Sequence, residues 1–125
     1  MIVAYASLTG KVRNFAERLQ KKLPNCEFIH IQKDMVINEP FVLITYTWGK
    51  GDIPKEVRLL LQNSGDKMVA VVGSGERNWG EHRFCKASID ISGHHNIPLL
   101  HNFEKMGYDS DVEIVASKIK QLQKG

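Results

Sequence analysis

Hydroxyl, glycine and lysine residues follow the first apolar run of the chain, in the stretch Ser7-Leu8-Thr9-Gly10-Lys11-Val12. Backbone N–H groups at a helix start, hydroxyls such as those of Ser7 and Thr9, and the charge of Lys11 are groups that bind a phosphate. Gly10 permits a close approach of the backbone to such a ligand. A helix that Thr9 merely caps explains the same residues equally well. The stretch matches neither the P-loop nor the dinucleotide-binding pattern.

Aromatic residues and glycines are concentrated in two further stretches, each of which follows an apolar run. They are Tyr46-Thr47-Trp48-Gly49-Lys50-Gly51 and Gly73-Ser74-Gly75, the latter followed by Asn78-Trp79-Gly80 and Phe84. Tryptophans in glycine-rich loops suit a flat aromatic ligand, and the glycines let backbone groups reach the edge of its ring. A phosphate site together with an aromatic slot indicates FMN.

Buried strands alternating with amphipathic helices are the elements that must position these stretches. Strands are predicted over residues 2–6, 26–31, 41–46, 67–73 and 97–101, and helices over 12–23, 54–65, 81–95 and 109–123, with Asp52 as the cap of the second helix. Apolar strands separated by crossovers predict a parallel sheet covered on both faces. The predicted class is α/β, with a flavodoxin-like, doubly wound sheet of five parallel strands in the order 2-1-3-4-5 and one domain over residues 1–125.

In such a sheet, ligands bind outside the carboxyl ends of the strands, where strand 1 neighbours strand 3. The three stretches follow strands 1, 3 and 4, so we expect them to meet at this edge. No catalytic or metal-ligating residue is predicted. The candidate cofactor-binding residues are Ser7, Leu8, Thr9, Gly10, Lys11, Val12, Tyr46, Thr47, Trp48, Gly49, Lys50, Gly51, Gly73, Ser74, Gly75, Asn78, Trp79, Gly80 and Phe84.

The composition restricts the classes of protein that the chain could belong to. Its 125 residues and 42% hydrophobic content suit one domain with a full core, and the net charge is only +3. So small an excess does not predict a nucleic-acid partner, and no apolar run reaches the roughly 20 residues that span a bilayer. Two cysteines without a CxxC pair, and an N-terminus without a signal-peptide pattern, predict a cytoplasmic protein.

Three stretches of the chain resemble one known family. They are TYTWGKGDIP, VVGSGERNWGEHRFCKASIDIS and NIPLLHNFEKMGYDSDV, in which G-S-G-x-R-N-W-G followed by V/I-P-L-L-x-x-F-E is the specific part. These residues resemble the NrdI family, the flavodoxin-like activators of class Ib ribonucleotide reductase, and the resemblance covers nearly the whole chain. It implies FMN, with the phosphate on the loop from Ser7 to Val12 and the ring between residues 46–51 and 74–80.

The resemblance also implies a role and two partners. Reduced FMN would convert dioxygen to superoxide, which passes to the dimanganese centre of the reductase small subunit and allows its tyrosyl radical to form. The implied partners are that small subunit and an unidentified protein that reduces the flavin. Neither a nucleic acid nor a membrane is implied. Such a protein is a redox activator rather than an enzyme that turns over a substrate.

Two positions of the first stretch depart from the common flavodoxin sequence T-G-N-T, because Lys11 and Val12 replace the asparagine and the second hydroxyl. We therefore expect the phosphate to lose side-chain donors and to gain a cation. Near the ring, two cations and two carboxylates balance approximately, namely Lys50 and Arg77 against Asp52 and Glu76. We expect the anionic, two-electron reduced flavin to form more easily here than in acidic surroundings.

Two other functions remain open from the sequence. A general electron-transfer flavodoxin would use the same cofactor and would differ in the surface that contacts its partner. Because this chain is net positive, we expect the contacting patch of its partner to be acidic. A cofactor-free regulatory domain of the same topology needs acidic residues after strand 1 to hold Mg²⁺, and Ala6-Ser7 supplies none.

Cys85 follows His82 by three residues, which is a spacing that could form a metal pair or a thiolate with its base. No second pair with ligand spacing accompanies it, so an ordinary helix residue is the simpler interpretation. Glu104 either has a structural role or faces a partner, and the sequence leaves both readings open.

Overall fold

Five parallel strands form one sheet in the computed structural model of the protein, which describes residues 1–124. The strands are β1 (Ile2–Tyr5), β2 (Glu27–His30), β3 (Phe41–Tyr46), β4 (Met68–Gly75) and β5 (Leu99–Glu104). Their order is β2-β1-β3-β4-β5, and each neighbouring pair is parallel. The predicted fold class and strand order are confirmed.

Helices cover both faces of the sheet, which explains why residues 41–45 of β3 are all buried. Within the described residues they are α1 (Lys11–Lys22), α2 (Lys55–Ser64), α3 (Lys86–His95) and α4 (Asp109–Lys124). Side chains alternate along a strand between its two faces. Val42 and Ile44 therefore lie in the core cluster that contains α1 and α4, whereas Phe41 and Leu43 lie in the cluster that contains α2 and α3.

The connection from β2 to β3 runs without a helix or strand from residue 31 to residue 40. Ile31 and Ile37 are buried in it and join the cluster on the α2 face. The Ile37 amide donates a hydrogen bond to the buried hydroxyl of Ser64, with 2.8 Å between nitrogen and oxygen. The Ile31 amide also donates to the Tyr5 carbonyl at 2.8 Å. Two buried isoleucines and these hydrogen bonds thus hold a segment whose form the sequence did not predict.

The start predicted for the helix over residues 81–95 is wrong, because α3 begins at Lys86. The amides of Arg83 and Phe84 donate to the Gly80 carbonyl, so residues 81–85 form turns instead. Cys85 then adopts the left-handed conformation, with φ 54°, directly before α3. A left-handed residue cannot continue a right-handed helix, and the helix therefore starts after it.

The Asp52 cap predicted for α2 is also wrong, and the alternative in which Thr9 caps α1 is not observed. Pro54 precedes α2 and no side chain caps it, while the backbone of Asp52 forms an antiparallel bridge with Trp48. Gly10, rather than Thr9, precedes α1, and its φ of 91° requires the freedom of glycine. Strands β4 and β5 extend past their predicted ends at residues 73 and 101, to Gly75 and Glu104 respectively.

Across residues 1–124, the helices are all too short or too polar to cross a membrane.

Candidate functional site

A cavity of about 450 Å³ opens at the carboxyl ends of the strands, where the loops after β1, β3 and β4 meet. Its volume is within the range of small-molecule sites, roughly 300–1,000 Å³. The residues that line it are Leu8, Thr9, Lys11, Val12, Tyr46, Thr47, Trp48, Gly49, Lys50, Ser74, Gly75, Glu76, Trp79, Arg83 and Lys105. We call this cavity the strand-end pocket.

The loop after β1 presents free backbone donors at the positive end of α1. Ser7 Oγ accepts a hydrogen bond from the Arg13 amide at 3.2 Å, and the Asn14 amide donates to the Gly10 carbonyl. The amides of residues 8–12 donate to no acceptor within residues 1–124. Free N–H groups at a helix N-terminus attract an anion. This loop can therefore bind a phosphate largely through its backbone.

The loop after β3 is a tight antiparallel turn that carries Trp48. The amide of Trp48 donates to the Asp52 carbonyl at 2.8 Å, and the Asp52 amide donates back at 2.7 Å. Gly49 and Gly51 between them have φ of 55° and 115°, which explains why glycines stand there. The Thr47 hydroxyl accepts a hydrogen bond from the Ala87 amide at 3.2 Å and so ties this loop to α3.

Tyr46 lies at the base of the same loop, with its ring in the pocket wall. Its hydroxyl donates a hydrogen bond to Glu56 Oε2 at 3.0 Å. Burial, together with that hydrogen bond and the charge of Glu56, raises the pKa of Tyr46 well above its usual range. The phenol is therefore neutral at every physiological pH, and its role is to anchor the wall.

The loop after β4 is held by contacts to the end of β5. The Ser74 hydroxyl donates to the Lys105 carbonyl at 2.6 Å, and the Lys105 amide donates to the Gly75 carbonyl at 2.8 Å. Glu104 Oε2 accepts a hydrogen bond from the Arg77 amide at 3.0 Å. The structure thus gives Glu104 a structural role, and it places Lys105 in the pocket wall.

Trp48 and Trp79 line the pocket from different loops and remain exposed by 52% and 57%. Tryptophan usually buries most of its large apolar surface in a folded chain. These two side chains leave that surface unburied beside a cavity, and each can cover an apolar, flat ligand. Both tryptophans line the same cavity as the loop that carries the free amides of residues 8–12.

Cations dominate the charged part of the pocket wall. Lys11, Lys50, Arg83 and Lys105 line the pocket, against the single carboxylate of Glu76. Lys11 Nζ lies 3.4 Å from Glu76 Oε2, whereas the other three cations form no ion pair within the described chain. The approximate balance of charge expected from the sequence is therefore wrong for this wall. Of the four residues that were expected to balance, Arg77 and Asp52 do not line the pocket, and three further cations do.

Most of the predicted binding residues line the pocket. Seven of them do not: Ser7, Gly10, Gly51, Gly73, Asn78, Gly80 and Phe84. Gly73 packs against Ser88 and Asn102, and the Phe84 ring lies 4.1 Å below the Arg77 guanidinium. Sequence reasoning missed Glu76, Arg83 and Lys105 as wall residues. The signal for Lys105 was available, since it follows the strand that neighbours β4 in the predicted order.

Cys85 carries a buried, neutral thiol. Burial raises the pKa of the Cys85 thiol to about 12, and Sγ donates to the Phe103 carbonyl at 3.7 Å. Within residues 1–124, no three His, Cys, Asp or Glu side chains are close enough together to hold a metal ion. The simpler interpretation of Cys85 stands, although it precedes α3 rather than lying within it.

Two curated relatives, each named protein NrdI, are similar to nearly the whole chain. The one from Macrococcus caseolyticus is 36% identical over 122 residues, which make up 98% of this chain and 91% of that protein. The one from Bacillus licheniformis is 32% identical over 120 residues, or 96% of this chain and 88% of that protein.

Solved flavodoxin structures share the fold. Oxidised flavodoxin 2 from Bacillus cereus has a TM-score of 0.71 and 24% identity, over 94% of this chain and 92% of that chain. A short-chain flavodoxin associated with a bacterial microcompartment has a TM-score of 0.69 and 22% identity, over 98% and 95%. At these identities the likeness shows the fold alone.

A family model described as NrdI flavodoxin-like matches residues 3–117. This match covers most of the chain, and both curated relatives are similar to it over nearly its whole length. The chain therefore belongs to the NrdI flavodoxin-like family.

Proposed function

We propose that the chain binds FMN in the strand-end pocket and supplies superoxide for assembly of the dimanganese-tyrosyl radical cofactor of class Ib ribonucleotide reductase. The observation that carries the proposal is the pairing of acceptor-free amides at residues 8–12 with two half-exposed tryptophans in one cavity. These are the two halves that a ligand with a phosphate and a flat ring requires.

The residues present fit FMN at its phosphate end. Amides at the start of α1 point their hydrogens at an anion, and the Ser7 hydroxyl keeps its proton free to donate while its oxygen accepts from Arg13. Lys11 adds a charge from the first residue of α1. Each term is modest, roughly 0.3–2 kcal/mol for the helix dipole, so the backbone and the side chains act together.

The residues also fit the flavin ring. Trp48 and Trp79 would cover its faces, and the free backbone around Gly49 would reach its polar edge, since a β-carbon there would meet nothing within 4 Å. Thr47 and Ser74 fix the two loops to α3 and to the end of β5. Because the loops are tied down, little order needs to be gained when the ring binds.

The chemistry that FMN supplies in this role is the transfer of one electron from its reduced ring to dioxygen, which yields superoxide. The chain contributes charge to that chemistry. Lys50, Arg83 and Lys105 are cations of the pocket wall without ion-pair partners in the described chain, and positive charge favours an anionic group beside it. They therefore make two-electron reduction easier than the acidic wall of a typical electron carrier would.

The proposed partners are the dimanganese small subunit of the reductase and a separate protein that reduces the flavin. Support for the first comes from the family and from the two relatives named protein NrdI. A general electron-transfer flavodoxin is the second candidate, because the strand-end pocket would bind the same cofactor in such a protein. Both candidates use the same pocket and differ in what they deliver to a partner.

An activation assay separates the two candidates. The reduced, FMN-loaded chain is mixed with the manganese-loaded class Ib small subunit and dioxygen, and the tyrosyl radical is measured by electron paramagnetic resonance. A flavodoxin reduced to the same extent serves as the matched control. We expect a radical with this chain and none with the control. A radical yield equal in both mixtures, or absent from both, would contradict the proposal.

A further inference from the structure

Lys11 and Glu76 form an ion pair that crosses the strand-end pocket. Lys11 Nζ lies 3.4 Å from Glu76 Oε2, and the two side chains are 35% and 31% exposed. Lys11 follows β1 and Glu76 follows β4, and β3 lies between these strands in the sheet. The pair therefore joins the loop with the acceptor-free amides to the loop that carries Trp79.

The backbone around Glu76 is held in place on both sides. The Gly75 carbonyl accepts from the Lys105 amide at 2.8 Å, and the Arg77 amide donates to Glu104 Oε2 at 3.0 Å. The Glu76 carbonyl itself accepts from the Trp79 amide at 3.2 Å. With its backbone fixed, Glu76 directs its carboxylate at one wall cation, Lys11, and pairs with none of the other three in the described residues.

The paired ammonium is also the cation nearest in sequence to the free amides of residues 8–12. An ammonium that faces a carboxylate at 3.4 Å has part of its charge already neutralised. A phosphate arriving at the start of α1 must compete with Glu76 for Lys11, and it also meets the negative charge of Glu76 in the same wall. The competition for Lys11 and the repulsion by Glu76 both weaken binding of the phosphate, and neither affects binding of an uncharged ring.

We infer that Glu76 is a specificity-determining residue that acts through Lys11: it restrains the ammonium and so weakens the preference of the pocket for phosphorylated over unphosphorylated flavins. The inference rests on the proposed FMN site. It goes beyond that proposal because it assigns a negative contribution to one residue and names the residue through which this contribution acts.

The test compares dissociation constants for FMN and riboflavin, measured by quenching of flavin fluorescence, in wild type and E76Q. Exposed and half-exposed ion pairs couple weakly, so we expect E76Q to bind FMN about two- to fivefold more tightly. Riboflavin affinity should not change, because riboflavin carries no phosphate. Glu113→Gln is the matched control. Glu113 lies on α4, does not line the pocket and forms an ion pair with Lys22, so the change also removes one carboxylate from an ion pair.

A double-mutant cycle with Lys11→Gln tests whether Glu76 acts through Lys11. If it does, E76Q should tighten FMN binding in the wild-type background and clearly less in the K11Q background. Equal gains in both backgrounds would overturn the inference, because Glu76 would then act by direct repulsion alone. An E76Q variant that binds FMN no more tightly than wild type would overturn it as well.

The outcomes for the inference and for the proposed function can be told apart. If the wild-type chain binds FMN and E76Q binds it with the same affinity, only the role given to Glu76 is refuted. If the wild-type chain binds neither FMN nor riboflavin, the proposed FMN site is refuted, and the inference about Glu76 is refuted as well. Thermal unfolding of each variant without ligand shows whether a change in affinity follows a change in folding.

Discussion

Ser88 Oγ lies 2.7 Å from Asn102 Oδ1, directly beside the backbone of Gly73. The contact links α3 to β5 across β4, just before β4 enters the loop that carries Trp79. A β-carbon at Gly73 would overlap Ser88 Oγ and would lie 2.5 Å from Asn102 Oδ1. Gly73 is therefore needed for close packing beneath the pocket rather than for a contact with a ligand.

Gly73→Ala should lower the free energy of unfolding by about 1–3 kcal/mol, the usual cost of overpacking a core. Gly93→Ala is the matched control, because Gly93 is an exposed residue of α3 whose added β-carbon meets nothing within 4 Å. It should raise that free energy by about 0.5–1 kcal/mol through helix propensity. Urea unfolding measures both. Equal effects of the two changes would contradict the packing role of Gly73.

Asp111 makes the free energy of unfolding depend on pH in the acidic range. Burial alone would raise the pKa of its carboxyl, but hydrogen bonds from His101 and from the Tyr108 amide, each 2.7 Å long, lower the pKa below 3.8. A carboxyl whose pKa is depressed by folding contributes stability above its unfolded pKa and loses it as pH falls through the folded pKa. Asp111→Asn should lower the free energy of unfolding at neutral pH by about 1 kcal/mol.

Asp109→Asn is the control for that prediction, since the Asp109 side chain is 97% exposed and, among residues 1–124, forms an ion pair with Arg18 alone. It should change the free energy of unfolding by less than about 0.5 kcal/mol. Urea unfolding between neutral pH and pH 3 follows both variants, and the deficit of D111N should shrink below pH 3.8. A deficit that stays constant into acid would argue against a contribution from the ionised carboxylate.

Cys85 should resist alkylation in the folded chain. Its thiol is fully buried and burial raises its pKa to about 12, so almost no thiolate exists at neutral pH. We expect iodoacetamide to modify Cys85 rapidly only after unfolding in guanidinium, as read by mass mapping of its peptide. If iodoacetamide labelled Cys85 in the folded chain as fast as in the unfolded chain, the prediction would be contradicted, because the thiol would then be accessible.

The two pocket tryptophans should contribute to flavin binding without contributing much to stability. Trp48→Ala and Trp79→Ala should each weaken FMN binding by about two- to tenfold, because each removes one aromatic contact to the ring. Tyr108→Ala is the control, since Tyr108 is 78% exposed and does not line the pocket. Fluorescence quenching measures the three dissociation constants. Unchanged affinity in both tryptophan variants would place the ring elsewhere.

The fold could be predicted from the sequence because its strongest signals are long and periodic. The residues from Phe41 to Ile44 are apolar on both faces of the strand, as expected of a central strand covered by helices. The start of α3 could not be predicted, because residues 81–85 contain no glycine or proline to break a helix. The left-handed conformation of Cys85 prevents the helix from starting before Lys86, and a non-glycine residue reaches that conformation only with tertiary support.

The candidate site was predictable at the level of loops and less so at the level of side chains. Strand order alone brings the loops after β1, β3 and β4 to one edge, and these loops do form the pocket. The pairing of Lys11 with Glu76 depends on how two loops 65 residues apart in sequence face each other across β3, and no local pattern encodes that. Lys105 enters the wall because β5 extends to Glu104.

The content of flavin in the purified chain tests the central claim most directly. The chain is purified, its visible spectrum is recorded, and any cofactor released by heat is identified by mass; cofactor-free chain is then titrated with FMN. The account predicts a yellow protein with about one FMN per chain, bound at the strand-end site, and renewed binding after removal. A colourless chain that takes up no added FMN would contradict it, and the free amides of residues 8–12 would then be only the start of a helix.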